Sequence, residues 1–384
     1  MAYGKKNHVK LDILSYNIYI GGESKIGKTT VVKQICEKLA GDDGYLFAEI
    51  GQERGADAIE GINYVNCPTW DMPYDEDTNS IGFEDVVSDI CENKTTEYPN
   101  LKAFIIDTFD QLVNISEDKA IALYNRTGPE KKALTINASW GGYGRGERKV
   151  IELILDAMAR LRAVGVSTII IGHVKNKSNT DSLTGDTYQV LTSDQQTNYF
   201  GAIKKNMHLV TMACVNRRII KEKTGKKDFD GKEKIIGKIE SEARVFKFRD
   251  DTYGVDAGGR FANIVSEIPM DADEFIKAVT DAILAEQSKS GQTLEQTQQN
   301  EAEQAKKQAE KIKAEEDRKR AEKLAEQEVK NVLSEIASAC RATPSIAAKV
   351  VAECRTMGYD NPGQVNTLDD AKKLAKFVQS LTQQ

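Results

Sequence analysis

No apolar run in the 384-residue chain approaches the ~18 residues that a membrane span needs, so the sequence predicts a soluble protein with no membrane partner. Its six cysteines, Cys36, Cys67, Cys91, Cys214, Cys340 and Cys354, include no C-x-x-C pair, and no secretory signal precedes them. Reduced thiols in a cytosolic protein are expected, with neither a disulfide frame nor a zinc site. Net positive charge is missing too. A formal charge of −6 excludes whole-molecule electrostatic binding to nucleic acid and confines any DNA or RNA contact to a local patch. At roughly 100–200 residues per domain, the length predicts one sizeable domain plus something smaller.

What is present is concentrated near the start. Residues 16–30 read YNIYIGGESKIGKTT, in which Gly22, Glu23, Ser24, Lys25, Ile26, Gly27, Lys28 and Thr29 fit G-x-x-x-x-G-K-[ST], followed by Thr30. Apolar residues before the loop (Ile18, Ile20) and helical spacing after it (Val31, Val32, Ile35, Leu39) give the strand, loop and helix that a phosphate-binding loop requires. The glycines let backbone N–H groups converge on phosphate oxygens at a helix N-terminus. Lys28 is expected on the β/γ-phosphates and Thr29 on a magnesium ion. Lys25 is either an extra cation near the γ-phosphate or an ordinary solvent-facing lysine.

Further along, Tyr45 to Ile50 reads as a second buried strand, which puts Glu49 and Glu53 near its C-terminal end, where parallel α/β sheets hold their ligands. Residues 71–97 carry nine acids against one lysine and predict a solvated segment leading into a helix over 83–92. The strand Leu101 to Thr108 ends in Asp107, suited to the magnesium role of a Walker B acid or else a cap on the next helix. A helix is expected over 114–124. The glycine-rich stretch 141–146 lacks a G-K-[ST] ending and reads as a lead into a helix over 147–164. The next strand, Ser167 to Gly172, ends at His173, either a γ-phosphate sensor or a structural histidine.

Residues 174–198 read as a long polar loop, 199–208 as helix and 209–215 as strand. The stretch 217–238 holds nine basic and four acidic residues and predicts a basic hairpin. Arg217, Arg218, Lys226 and Lys227 there are candidates for nucleic-acid contact, and a merely solvated hairpin is the alternative, because only Phe229 interleaves to stack on bases. A short strand (244–249), a turn carrying Arg260 and a helix over 271–284 close the core. Residues 286–330, with eleven acids, ten bases and no proline, predict one solvent-exposed helix held by i,i+4 pairs, since Ile312 and Leu324 are too sparse for a heptad seam. Helical periodicity returns over 331–384 as a small module.

Strands alternating with helices predict an α/β fold with a mostly parallel central sheet and a nucleotide at its carboxyl edge. Lys28, the loop amides and Mg²⁺ would neutralise the γ-phosphate while Glu53, or Glu49 as second choice, orients the attacking water. The segments GESKIGKTT, EIGQERGADAIEG, FIIDTFDQL, WGGYGRG, IIIGHVK and DAGGRF, in that order, together resemble bacteriophage-encoded RecA-like ATPases. These are the AAA-type nucleotide-binding proteins of phage recombination modules, related to RecA-core single-strand annealing proteins.

That resemblance implies a RecA-like P-loop core over 11–284; composition alone, not the resemblance, sets off a tail over 1–10, a charged helical linker over 285–330 and a C-terminal helical module over 331–384. It implies ATP and Mg²⁺ as cofactors. The hydrolytic glutamate falls on Glu53, the Walker B acid on Asp107 and the polar residue ending the next strand on His173. Single-stranded DNA contact is implied for the 174–198 segment, with Lys175 and Lys177, and sharing of nucleotide in a homo-oligomer makes Lys204, Lys205 and Arg260 candidates for trans contacts. Two functions stay open. One is an ATPase acting on single-stranded DNA in phage recombination or replication, within the bacterial host's cytoplasm; the other is an ATP-gated scaffold or loader that recruits a protein partner, such as a phage replication or recombination protein, through the C-terminal module without binding DNA directly.

Overall fold

The computed structural model describes residues 4, 7–182, 184–227, 233–249 and 254–382, and for 219, 221–227 and 233–238 the backbone alone. Strand β1 (Ile18–Gly22) is buried along its whole length and leads through the glycine-rich loop into helix α1 (Lys28–Ala40). Strands β2 (Tyr45–Ile50) and β3 (Tyr64–Cys67) follow, then helix α2 (Phe83–Glu92), strand β4 (Ala103–Asp107), helices α3 (Phe109–Arg126) and α4 (Arg145–Ala163), and strand β5 (Ser167–Gly172). Beyond them come β6 (Val174–Thr180), β7 (Thr187–Ser193), α5 (Thr197–Lys204), β8 (Leu209–Lys227), β9 (Glu233–Lys247), β10 (Gly258–Gly259), β11 (Glu267–Pro269) and α6 (Ala272–Ser288). The chain ends in α7 (Leu294–Ala342), α8 (Pro344–Thr356) and α9 (Leu368–Thr382).

Among the described residues one sheet of nine strands runs in the order β11-β9-β8-β1-β5-β4-β2-β3, with β10 paired to β8. From β8 to β3 every pairing is parallel, whereas β9, β10 and β11 join through antiparallel pairs. This is an α/β P-loop fold with a mixed, mostly parallel sheet. The strands β1, β4 and β5 are buried along their whole length because helices cover both of their faces, and they are accordingly mostly apolar. Alternate residues serve opposite layers. Ile18 and Ile20 of β1, with Phe47 and Ile105, pack against Val31, Val32 and Ile35 of α1 and against Phe275 and Val279 of α6. Tyr19, Phe104, Ile106 and Ile170 face the other way, onto α2, α3 and α4. Burying one such side chain contributes about 1.5–3 kcal/mol, and the two clusters together fix the sheet between its helical layers.

Three expected boundaries change. Residues 174–198 do not form a loop: β6 and β7 pair in register from Val174–Ser193 to Thr180–Thr187, closed by a turn in which Asp181 N–H donates to Asp186 and Thr184 N–H to the Asp181 carboxylate. Strand β6 is polar and exposed almost throughout, although β7 is partly buried, so no sustained apolar alternation announces the pair in the sequence. The helix expected to reach His208 stops at Lys204, because His208 already leads into β8, its N–H donating to the Asn17 carbonyl. The strand expected at 244–249 is the end of β9, which pairs with β8 over most of its length.

The six cysteines are free thiols, and among the described residues no helix is long and apolar enough to cross a membrane. The chain divides into two compact units, Met1–Gln308 and Ala309–Gln384. The charged stretch expected as one helix over 286–330 is interrupted: its first residues end α6 at Ser288, and only from Leu294 is it continuous helix within α7, carrying i,i+3 and i,i+4 pairs such as Glu303–Lys307 and Glu315–Arg318. In the second unit Ile336, Val350, Cys354, Leu374 and Val378 form a separate small core.

Candidate functional site

The loop between β1 and α1 wraps its own lysine. Lys28 Nζ donates to the carbonyls of Gly22 and Glu23, each at 2.9 Å, and the side chain is buried. Gly27, at φ 105°, turns the chain into α1 in a left-handed conformation that costs a non-glycine residue free energy. A Cβ on Gly22 would lie 3.0 Å from the Ala213 Cβ and 3.1 Å from the stem of Lys28, so glycine there lets the loop lie against β8. The first amides of α1 are left without helical acceptors, which makes this end of the helix an anion site.

Carboxylates gather opposite the lysine. Asp107 ends β4 at the register position of Glu49 on β2, and Oδ2 of Asp107 accepts from the Thr29 hydroxyl at 2.7 Å. Glu49 is buried; its Oε1 accepts the Ala56 N–H at 2.6 Å, which folds the 51–55 loop back over the strand end, and its Oε2 has no hydrogen-bond partner. Glu53, in that loop, is half-buried. At the end of β5 the Asp110 carboxylate accepts twice from His173, from its N–H at 2.9 Å and from Nδ1 at 3.0 Å. With Nδ1 held by Asp110, the Nε2 of His173 is left for other partners.

Ser24, Lys25, Gly27, Lys28, Thr29 and Thr30 line a cleft of about 540 Å³ together with Glu49, Glu53, Asp107 and His173, whereas Gly22, Glu23 and Ile26 form the loop without lining it. Burial pushes the Asp107, Glu49 and Glu53 carboxyls up from their ordinary values, and burial pulls the Lys28 ammonium down against the pull of Asp107 and its neighbours. The hydrogen bond that His173 donates to Asp110 raises the His173 pKa. Such a site holds charges that the protein alone does not balance, and an anion beside Lys28 or a cation between Thr29 and Asp107 relieves that imbalance.

The other candidates lie elsewhere. Lys175 and Lys177 project from the exposed strand β6, and Lys175 is already paired with Asp194. On the β8–β9 ribbon Arg217 pairs with Glu242 and Arg218 with Glu240; the side chains of Lys226 and Lys227 lie outside the described residues, as does Phe229. Lys204 is ion-paired with Asp256, and Arg260 donates to the Lys205 carbonyl at 3.0 Å, so the three residues expected in trans contacts lie close together within the chain's own fold. Two residues at the site escape sequence reasoning. Asp110 carries a weak signal, an acid in the first turn of the helix after the Asp107 strand. Arg244, whose Nη1 donates to the Ile26 carbonyl at 3.1 Å, carries none, because 218 positions separate the two residues.

A family model described as an AAA domain matches residues 15–261, a span that holds the loop, both glutamates, Asp107, Asp110, His173 and Arg244. No curated protein matches the chain.

Proposed function

Because the chain belongs to the AAA domain family, a family of nucleotide-binding ATPase domains, we propose that its cleft binds ATP with Mg²⁺ and hydrolyses it, and that the ATPase is RecA-like and acts on single-stranded DNA. The observation that carries the reading is the convergence of Lys28, Thr29, Asp107, Glu53 and His173 on one cleft. A hydroxyl and a carboxylate oxygen 2.7 Å apart are the hard donors that Mg²⁺ prefers, so Thr29 and Asp107 fit the ion. Bound there, Mg²⁺ supplies charge neutralisation to the β- and γ-phosphates. Lys28 and the loop amides hold the phosphates, Glu53 orients the attacking water and takes its proton, and His173 meets the γ-phosphate through Nε2. Catalysis in such a site is positioning and electrostatics.

The DNA part of the proposal rests on the β6–β7 hairpin, which begins directly after His173 and presents Lys175 and Lys177 to solvent, and on the resemblance to RecA-like phage proteins. In this reading the chain works in phage recombination or replication, as a homo-oligomer in the host cytoplasm, with Lys204, Lys205 and Arg260 at the subunit boundary. One observation favours a second reading, an ATP-gated scaffold or loader whose C-terminal module recruits a protein. Arg217, Arg218 and Lys175 already have acidic partners, which removes much of the charge that a DNA strand needs.

The test is ATP turnover with and without single-stranded DNA at two salt concentrations. Stimulation and binding that both fall steeply with salt are expected of phosphate contacts. Turnover indifferent to DNA, with no salt-sensitive binding, leaves the scaffold reading.

A further inference from the structure

Three residues near the end of β9 share one face of the sheet, since side chains alternate along a strand. Phe248 and Phe246 are fully buried against Phe275, in the cluster that also takes in Ile26 of the phosphate loop. Arg244 continues their line one step further, past the carboxyl edge of the sheet. The register fixes where it arrives: Gly22, the first loop glycine, is opposite Ala213 on β8, Ala213 is opposite Phe246, and Val215 is opposite Arg244. Arg244 Nη1 donates to the Ile26 carbonyl at 3.1 Å, and a Cβ on Gly27 would lie 3.7 Å from the same nitrogen.

Arg244 differs from the other arginines of the ribbon. Arg217 and Arg218 pair with acids across the strands, whereas Arg244 has no ion pair among the described residues and uses its guanidinium on a main-chain carbonyl. A guanidinium carries five donors in a rigid fork, so one fixed bond to the loop orients the rest of the cation. Its Ile26 partner is a peptide of the loop that must present N–H groups to phosphate.

We propose that Arg244 is a positioning residue that ties the phosphate loop to the β8–β9 ribbon, so that nucleotide at the loop and any ligand on the ribbon are energetically coupled. This rests on the nucleotide-binding reading and deepens it by naming the element through which the site is regulated. The ribbon leaves the sheet at the loop, and coupling of this kind is reciprocal. What holds the ribbon in register strengthens nucleotide binding, and nucleotide steadies the ribbon.

Calorimetry of Mg-ADP binding to the full chain tests it, with Arg244→Gln and Arg244→Lys beside the wild type. A charged hydrogen bond predicts that Arg244→Gln weakens ADP about tenfold or more, while Arg244→Lys, which keeps a cationic donor, recovers most of the loss. The urea midpoint without nucleotide is expected to stay near wild type for both. Hydrogen exchange on the wild-type chain gives a second reading that needs no variant: ADP slows amides over 242–247 as well as those over 22–30. Wild-type affinity in Arg244→Gln, or protection confined to the loop, overturns the coupling while leaving nucleotide binding intact. A wild-type chain that binds no ADP overturns the nucleotide reading itself, and the coupling with it.

Discussion

The Thr29 hydroxyl and the Asp107 carboxylate meet at 2.7 Å although the strands that deliver them are not neighbours: β5 lies between β1 and β4. The bond therefore bridges one whole strand at the carboxyl edge, where the first turn of α1 reaches over the end of β5. His173 emerges from that intervening strand, so the three residues are in one row by topology and not by loop flexibility.

Removing the bond separates two effects. Thr29→Ala leaves a buried Asp107 oxygen without its donor, at a cost of about 1–3 kcal/mol, and removes one of the two donors proposed for Mg²⁺. Thr29→Ser keeps the hydroxyl. Urea unfolding is expected to show a loss for alanine and little for serine, and titration of ADP with and without Mg²⁺ is expected to lose its metal dependence in alanine alone. Equal metal dependence in both variants removes Thr29 from the metal site.

The two glutamates are held differently, and substitution distinguishes them. Glu49 is fastened to the Ala56 amide, whereas Glu53 lines the cleft from the loop without a hydrogen bond to any described residue. Glu53→Gln is expected to lower the single-turnover hydrolysis rate by roughly 100-fold or more while Mg-ATP binding stays within a few-fold. Glu49→Gln puts an amide N–H₂ where Oε2 has no partner, and its first effect is expected on the protection of the 51–56 backbone by hydrogen exchange. Hydrolysis by Glu53→Gln at the wild-type rate would shift the water-orienting role to Glu49.

Asp110 sets the proton on His173. Its carboxylate raises the His173 pKa above the ordinary value of 6.5, so this pair stabilises the fold fully below about 6.5, and the contribution disappears as pH rises through the elevated pKa. Asp110→Asn takes away that stabilisation and lowers the His173 pKa. If protonated Nε2 meets the γ-phosphate, the alkaline limb of the ATPase pH profile moves to lower pH in Asp110→Asn. An unmoved limb, with the His173 ring resonances titrating at lower pH by NMR, shows that the His173 charge does not govern turnover.

How much of this could be read in advance depended on how far apart the partners lie in the chain. The phosphate loop is contiguous, so Gly22 to Thr29 can be found as a string, and Asp107 stands at the end of an apolar run that could only be a buried strand. The Asp110–His173 clamp joins residues 63 positions apart, and Arg244 reaches Ile26 only because a pairing register carries it there. Neither leaves a periodic trace. The β6–β7 hairpin was hidden for a different reason: β6 is polar and exposed almost throughout, so it has no apolar period to betray the pair, and its composition imitates a loop. The alternation that made the end of β9 legible came from Phe246 and from Phe248 just beyond it, both packed on α6.

His208, outside the cleft, gives the fold a pH response of its own. Its Nδ1 accepts the Asn17 N–H at 3.0 Å, beside the Tyr16 ring, and burial together with the charges of Arg162 and Arg260 pushes its pKa down to about 4. The folded chain therefore refuses a proton that the unfolded chain accepts near 6.5. Stability from this group is complete above about 6.5, falls as pH drops toward 4, and levels off below that. The full shift corresponds to about 3 kcal/mol, and since the ring is half-exposed, screening reduces the expected loss to roughly 1–2 kcal/mol. In His208→Asn the amide oxygen can still accept from Asn17 but cannot take up a proton. Urea midpoints measured from pH 7 to pH 4 are expected to fall less steeply in His208→Asn than in the wild type, and parallel curves would place the acid sensitivity elsewhere.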